Sequence, residues 1–181
     1  MTRKQFISNS FYKSLFLLLS VLVLSACVKV EDDEEPTPQD EDVMFQVDLV
    51  KMTALEIKEG EGDQLEIYGT VTADLVRGNL TESNTLWSLP KASPLPVGLS
   101  DVPIIASQTF TVASSNIGAS NLEVRADLFD SDGEGTNDPE DLGNEMISTP
   151  LSSVSSSSTF QITLNSSSGQ WVQLTYSITR L

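Results

Sequence analysis

Regular alternation of apolar and polar residues is the feature that most constrains how this chain can fold. In the clearest stretch, 65–75, every second residue is apolar or glycine and all the residues between them are polar. The same pattern recurs over 122–128, 160–164 and 172–178. Because successive side chains of a strand point to opposite faces, a period of two predicts β-strands with one buried face.

The first predicted strand contains a break in this alternation. Its apolar positions are odd-numbered up to Leu49 and even-numbered from Val50 onward. A shift of one residue moves every later side chain to the other face, which is what a β-bulge does. We therefore expect a bulged first strand, and we expect weaker strands at 85–89, 108–113 and 145–148.

These segments predict an all-β domain, a single antiparallel β-sandwich of eight strands over residues 43–181. No helical apolar stripe with caps is found there, apart from a turn near 150–154. The segment 90–103 holds four prolines and is expected to form a long crossover, which suits a Greek key. The serine-rich run 152–158 is expected to be a flexible connection, and 165–169 the turn of the last hairpin.

Residues 1–26 have the composition of a secretory signal peptide. Basic residues precede an apolar run from Leu15 to Leu24, and small residues then lead to Cys27, the single cysteine. The run covers about 15 Å as a helix, about half of a hydrocarbon core, so it is too short to span a membrane.

The four residues Leu24-Ser25-Ala26-Cys27 resemble a bacterial lipobox. That resemblance implies that the Cys27 thiol receives diacylglycerol before cleavage, so that acyl chains such as palmitate anchor the mature chain in a membrane. The alternatives are an ordinary signal peptide followed by a chance cysteine, or a spanning anchor.

Residues 27–42 are expected to form the lipidated end and a disordered acidic tether. Eight of the fifteen residues 28–42 are acidic and two are proline, so the segment cannot bury enough surface to offset its ordering entropy. The run Lys29–Asp33 resembles the export signal of Bacteroidetes surface lipoproteins. This implies an outer-membrane lipoprotein on the cell surface, with the periplasmic face as the alternative.

The composition of the mature chain excludes several functions. Without the signal peptide, the chain has 7 Lys and Arg residues and 26 Asp and Glu residues, which gives a net charge of −19. Nucleic acids and anionic membranes attract basic surfaces, so divalent cations or a cationic partner are expected instead. Histidine, the usual general base and commonest metal ligand, is absent from the chain. We therefore expect no catalytic residues and no enzymatic activity.

Two acidic segments are candidate cation sites. Their carboxylates are Glu59, Glu61 and Asp63 after the first strand, and Asp130, Asp132, Glu134, Asp138 and Asp141 after the strand that ends near 129. Calcium takes about six to eight oxygen ligands in irregular geometry, and the interspersed glycines let a backbone curl round an ion. These residues therefore predict a calcium site, the alternative being solvated acidic turns.

The spacing Asp130, Asp132, Asp138 resembles the third calcium loop of the C-two domains of synaptotagmins and protein kinase C. Leu142-Gly143 follows, similar to the apolar-glycine pair that opens the next strand in that family. The resemblance implies a C-two-like fold with calcium in loops at one end. The first loop lacks the usual Ser-Asp-Pro-Tyr run, and the basic lipid-binding strand has no counterpart. The second segment also fits an EF-hand loop loosely, although its predicted flanks are strands.

The expected function is a lipid-anchored, non-catalytic calcium-binding module of the cell envelope with an unidentified protein or glycan ligand. One alternative is a metal-independent adhesion or assembly subunit whose acidic loops face a basic partner. A further alternative is a carbohydrate-binding module, whose candidate platform residues are Trp87, Trp171, Tyr68 and Phe129.

Overall fold

Nine β-strands form in the part of the chain that the structure, a computed structural model, describes: residues 40–58, 62–131 and 139–181. The predicted antiparallel β-sandwich is confirmed, with nine strands in place of eight. The strands are β1 (Asp42–Glu56), β2 (Gln64–Arg77), β3 (Leu80–Leu89), β4 (Leu95–Gly98), β5 (Val102–Ala113), β6 (Ser120–Asp130), β7 (Glu140–Pro150), β8 (Ser157–Asn165) and β9 (Trp171–Arg180). Short 3-10 helices span Ser114–Ala119 and Leu151–Ser153. No helix within the described ranges is long and apolar enough to cross a membrane.

Two antiparallel sheets pack face to face. One has the strand order β5-β1-β9-β8, and the other has the order β3-β2-β6-β7 with β4 also paired to β2. β3 pairs with residues 69–77 of β2 and β4 with residues 64–67, so the two short strands share one sheet edge. The chain then crosses to β5 and returns to place β6 beside β2, which is the strand order of the expected Greek key.

The proline-rich segment 90–103 is not the continuous crossover that the sequence predicted. Its middle part forms β4, which contains Pro96. Proline has no N–H to donate to a ladder, but an edge strand is paired on one side only and tolerates proline where the N–H would face solvent. The Ser93 N–H donates to the Pro90 carbonyl at 2.9 Å, and this turn returns the chain to the edge of β2.

The serine run 152–158 is also more regular than predicted. Its first residues lie in the second 3-10 helix, where the Ser153 hydroxyl donates to the Pro150 carbonyl at 2.6 Å. Its last two residues belong to β8, and the Ser157 and Thr179 hydroxyls lie 3.0 Å apart across the β8–β9 pair. The predicted turn of the last hairpin, 165–169, lies between β8 and β9 as expected.

The core lies between the sheets and consists of the alternating residues that the sequence singled out. On β1 the register shifts after Leu49 against both neighbouring strands, which confirms the predicted bulge. Val50 at the bulge is 42% exposed, whereas Met52 is fully buried. The bulge thus places one extra residue, Val50, outside the core, and the apolar side chains that follow point into the core again. The inward residues of β2 are buried to 1% exposure or less: Leu65, Ile67, Val71, Ala73 and Leu75.

The two ends of the sandwich carry different connections. The β1–β2, β4–β5, β6–β7 and β8–β9 connections leave the strands at one end, which we call the acidic end. At the opposite end, which we call the entry end, Asp42 pairs with Ala113 as β1 begins. The chain also finishes there, because the Leu181 N–H donates to the Met44 carbonyl at 2.9 Å.

Gly69→Ala is expected to destabilise the domain, because Gly69 allows β2 and β6 to approach closely. Its φ is +129°, and an added Cβ would lie 2.2 Å from the Asp127 carbonyl oxygen. Backbone strain and overpacking together should cost about 2–5 kcal/mol in the free energy of unfolding, measured with urea. Gly118→Ala is the control, since a Cβ there meets nothing within 4 Å. Equal stability of the two variants would contradict this.

Candidate cation site at the acidic end

Asp130, the last residue of β6, is fixed by the backbone of β2. Its side chain is 3% exposed, and its Oδ1 accepts a hydrogen bond from the Glu66 N–H at 2.7 Å. The next residue continues the contact, because the Ser131 N–H donates to the Glu66 carbonyl at 2.8 Å. The β2–β6 pairing therefore extends beyond its last strand pair, Ile67 and Asp130. This fixes the point at which the β6–β7 connection begins.

The bond to Glu66 is compatible with a role for Asp130 as a cation ligand. An ionised carboxylate offers about four lone-pair positions on its two oxygens, so it can hold the Glu66 N–H together with other partners. Burying a carboxylate is unfavourable unless hydrogen bonds or positive charge compensate it. A cation next to this side chain would add to the compensation that the Glu66 amide already supplies.

Asp141, on β7, lies across the same connection, but its side chain is exposed and turned to its own backbone. Its Oδ1 accepts a hydrogen bond from the Gly143 N–H at 2.8 Å. The register of the β6–β7 pair shifts here, because Leu128 pairs with Gly143 and Phe129 pairs with Asp141. Leu142, between Asp141 and Gly143, is fully buried. Asp63, the third described candidate, lies exposed in a bend directly before β2.

The other predicted ligands lie outside the described residues. These are Glu59 and Glu61 of the first segment and Asp132, Glu134 and Asp138 of the second. Cys27, the predicted lipidation site, also lies outside them. Among the residues that are described, no three acidic or thiol side chains come close enough to form a metal-binding group. Asp63, Asp130 and Asp141 therefore do not form a cation site by themselves.

A salt bridge neutralises the carboxylate at the β4–β5 connection. Asp101 receives hydrogen bonds from Lys51 Nζ at 2.6 Å and from Thr53 Oγ1 at 2.7 Å. These two donors lower the pKa of Asp101 below its ordinary value. The contact fixes the start of β5 against β1. Because its charge is already paired with a lysine, Asp101 is a poor candidate for the cation site.

The β8–β9 turn contributes polar groups that the sequence did not single out. The Ser168 hydroxyl donates to Glu140 Oε1 at the start of β7, which brings this turn beside the β6–β7 connection. Within the turn, the Ser166 N–H donates to the Gln170 carbonyl at 2.9 Å. The Gln170 side chain is fully buried, and its amide atoms have no partner among the described groups. The turn was predictable from its Ser-Gly composition, but its contact with β7 depends on the tertiary fold.

The four aromatic residues considered for carbohydrate binding do not form one platform. Tyr68 and Phe129 stack on neighbouring strands with ring centroids 5.4 Å apart, and Trp87 lies in the same sheet. Trp171 begins β9 in the other sheet, where it is 40% exposed.

Comparisons with known proteins bear on the strand arrangement. No protein-family model and no curated protein sequence matches this chain. Among solved structures, a C2 domain (domain A) of plant Extended Synaptotagmin 1 has a TM-score of 0.40 at 13% identity, covering 76% of this chain and 93% of that one. A structure described as a C2 domain has a TM-score of 0.37 at 9% identity, covering 76% and 98%.

The pair of calcium-bound C2 domains (A and B) of Extended-Synaptotagmin 2 has a TM-score of 0.31 at 14% identity, covering 77% of this chain and 43% of that one. C2 domains are the C-two domains that the sequence resembles. At these identities and TM-scores, the likeness transfers no site or ligand to this chain.

Asp130→Ala is expected to lower the free energy of unfolding by about 1–3 kcal/mol even without calcium, because it leaves the Glu66 N–H without its acceptor. Asp130→Asn keeps an acceptor oxygen and should cost less. Asp141→Ala, at an exposed position, is the matched control and should cost least. Urea unfolding in EGTA measures all three, and equal losses would show that the Glu66 contact does not stabilise the fold.

Proposed function

We propose that this chain is a lipid-anchored protein of the cell envelope whose β-sandwich binds calcium at the acidic end and performs no catalysis. The observation that carries the proposal is the position of Asp130. Its buried carboxylate is held by the Glu66 N–H where β6 ends, at the base of the segment in which the other predicted ligands follow. A fixed first ligand lowers the entropy lost when a loop closes round an ion.

The charge of the β6–β7 connection favours a cation as the ligand. From Asp130 to Asp141 the sequence contains six carboxylates, counting both ends, and no basic residue. Carboxylates this close in sequence repel one another, and a bound calcium ion would offset that repulsion in the folded protein. Zinc or copper is disfavoured because the chain has no histidine and a single cysteine.

The β1–β2 connection is the second part of the proposed site. The contacts of Glu66 with Asp130 and Ser131 hold the beginning of β2 beside the end of β6. Asp63 lies one residue before β2, and Glu59 and Glu61 precede it in the sequence. In this proposal these three residues complete the calcium coordination from the neighbouring connection.

A metal-independent adhesion or assembly subunit is the second candidate. It is favoured by one observation: the described carboxylates do not group into a metal site by themselves. In this interpretation the acidic end contacts a basic partner surface, and its carboxylates remain solvated. Binding of calcium by the isolated protein distinguishes the two functions.

Calcium is expected to raise the thermal stability of the domain. The unfolded chain does not hold the ligands together, so binding stabilises the native state by about 2.7 kcal/mol at 100 times the dissociation constant. This corresponds to an increase of several degrees in the melting temperature. Asp132→Asn should remove most of the increase, and magnesium should replace calcium poorly. A melting temperature that is constant from micromolar to millimolar calcium would favour the metal-independent subunit.

The proposed anchor has a separate test. Two or more acyl chains on Cys27, at about 0.8 kcal/mol for each buried CH₂, would hold the protein in a membrane permanently. Cys27→Ala should therefore give an uncleaved or soluble protein in cell fractionation. Glu31→Ala with Asp32→Ala and Asp33→Ala should leave the lipid in place but reduce access of external protease, if the acidic run directs export. A Cys27→Ala protein that is processed and membrane-bound like the wild type would exclude the lipobox.

A further inference from the structure

We propose that the acidic end is held away from the membrane that anchors Cys27 and does not dock end-on onto that bilayer. Its ligand is then a divalent cation taken from the surrounding medium, without a phospholipid of the anchoring membrane as co-ligand. This inference rests on the lipid anchor of the proposed function, and it follows from where the chain enters the sandwich and how far the entry point lies from the acidic end.

The entry point is fixed by hydrogen bonds to Asp40. Its Oδ1 accepts from the Ser114 hydroxyl at 2.6 Å and from the Ser115 N–H at 3.0 Å, and its Oδ2 accepts from the Ser115 hydroxyl. The Ser114 N–H also donates to the Glu41 carbonyl at 2.8 Å. These donors, the Ser114 hydroxyl first, lower the pKa of Asp40 below its ordinary value. The chain is therefore attached to the body of the domain from residue 40 onward.

The acidic end lies one full strand length from this point. β1 runs from Asp42 to Glu56 and has 15 residues. At about 3.3 Å per residue a regular strand of this length would be about 46 Å long. Two register shifts shorten β1, because its residues 45–56 lie opposite only residues 171–180 of β9. With the two residues before the strand, the span from Asp40 to Glu56 is about 46 Å. Glu56 pairs with Trp171, so Trp171 also marks the acidic end.

The connection to the membrane is too short to span this distance comfortably. From Cys27 to Asp40 there are 13 residue steps, which reach at most about 43–47 Å even when fully extended. Docking with the acidic end down would place Asp40 about 46 Å above the bilayer, by the span just given. A random chain of this length has an end-to-end distance of only about 20 Å. The inverted orientation would therefore require a connection stretched to its limit, which an entropic cost opposes.

Charge opposes the inverted orientation as well. The described residues at or near the acidic end include Glu56, Asp63, Glu66, Glu140 and Asp141, with Lys58 as a basic residue, while Lys51 is already paired with Asp101. An anionic bilayer repels such a surface unless cations bridge the two. Reach and charge thus act in the same direction, and both leave the acidic end open to the medium.

The test uses tryptophan as a distance reporter on vesicles. The mature chain, residues 27–181, is coupled through Cys27, its single thiol, to maleimide lipid in vesicles of phosphatidylcholine and phosphatidylglycerol that also contain dansyl lipid. Trp87→Phe leaves Trp171 as the reporter of the acidic end. The matched variant carries Trp87→Phe, Trp171→Phe and Leu181→Trp, which moves the reporter to the entry end. Energy transfer to dansyl is measured for both proteins in calcium and in EGTA.

We expect no measurable transfer from Trp171 under either condition, and a loss of donor emission from the reporter at position 181. Absence of transfer from Trp171 supports the inference whatever the second reporter shows. Measurable transfer from Trp171 would overturn it, because the domain would then lie on its side or upside down. Chemical coupling replaces lipidation in cells, and the measurement in EGTA does not require calcium binding. An inverted orientation on the vesicles would therefore contradict this inference without contradicting the proposed function.

Discussion

The pairing of β2 with β6 is the constraint on which the rest of the structure depends. The two strands pair without interruption from residues 67 and 130 to residues 77 and 120, at the centre of their sheet. Gly69 lets their backbones approach where a side chain would strike the Asp127 carbonyl. Because β2 follows the first acidic segment and β6 precedes the second, this one pairing brings the strand ends that border the two segments to the same end of the sandwich.

Asp130 extends that pairing into the candidate site. A buried carboxylate that accepts a backbone N–H behaves as part of the sheet and at the same time begins the acidic connection. Its two roles can be separated experimentally, because asparagine preserves an acceptor and removes the charge. The stability of the fold and the affinity for a cation should therefore respond differently to the same substitution.

The fold was largely predictable from the sequence because strand alternation is a local signal. The bulge after Leu49 was readable from a change of parity alone, and the structure confirms it. β4 was missed because prolines mark a loop in sequence, whereas an edge strand tolerates them through a tertiary contact with β2.

The candidate site was predictable only as a set of carboxylates. The bond from the Glu66 N–H to Asp130 joins residues 64 positions apart, and the contact of Ser168 with Glu140 joins residues 28 apart. Neither contact leaves a local pattern, since each depends on which strands become neighbours. The sequence also carried no sign that Asp101 would be paired with Lys51 and so withdrawn from the acidic set.

The central claim is that calcium binds where the end of β6 meets the beginning of β2. An amide ¹H–¹⁵N spectrum recorded during a calcium titration tests it residue by residue. The largest shifts should include the amides of Glu66 and Ser131, with little change at Ser114 and Ser115 on the entry end. Spectra without calcium-dependent shifts, or with shifts confined to the entry end, would contradict it.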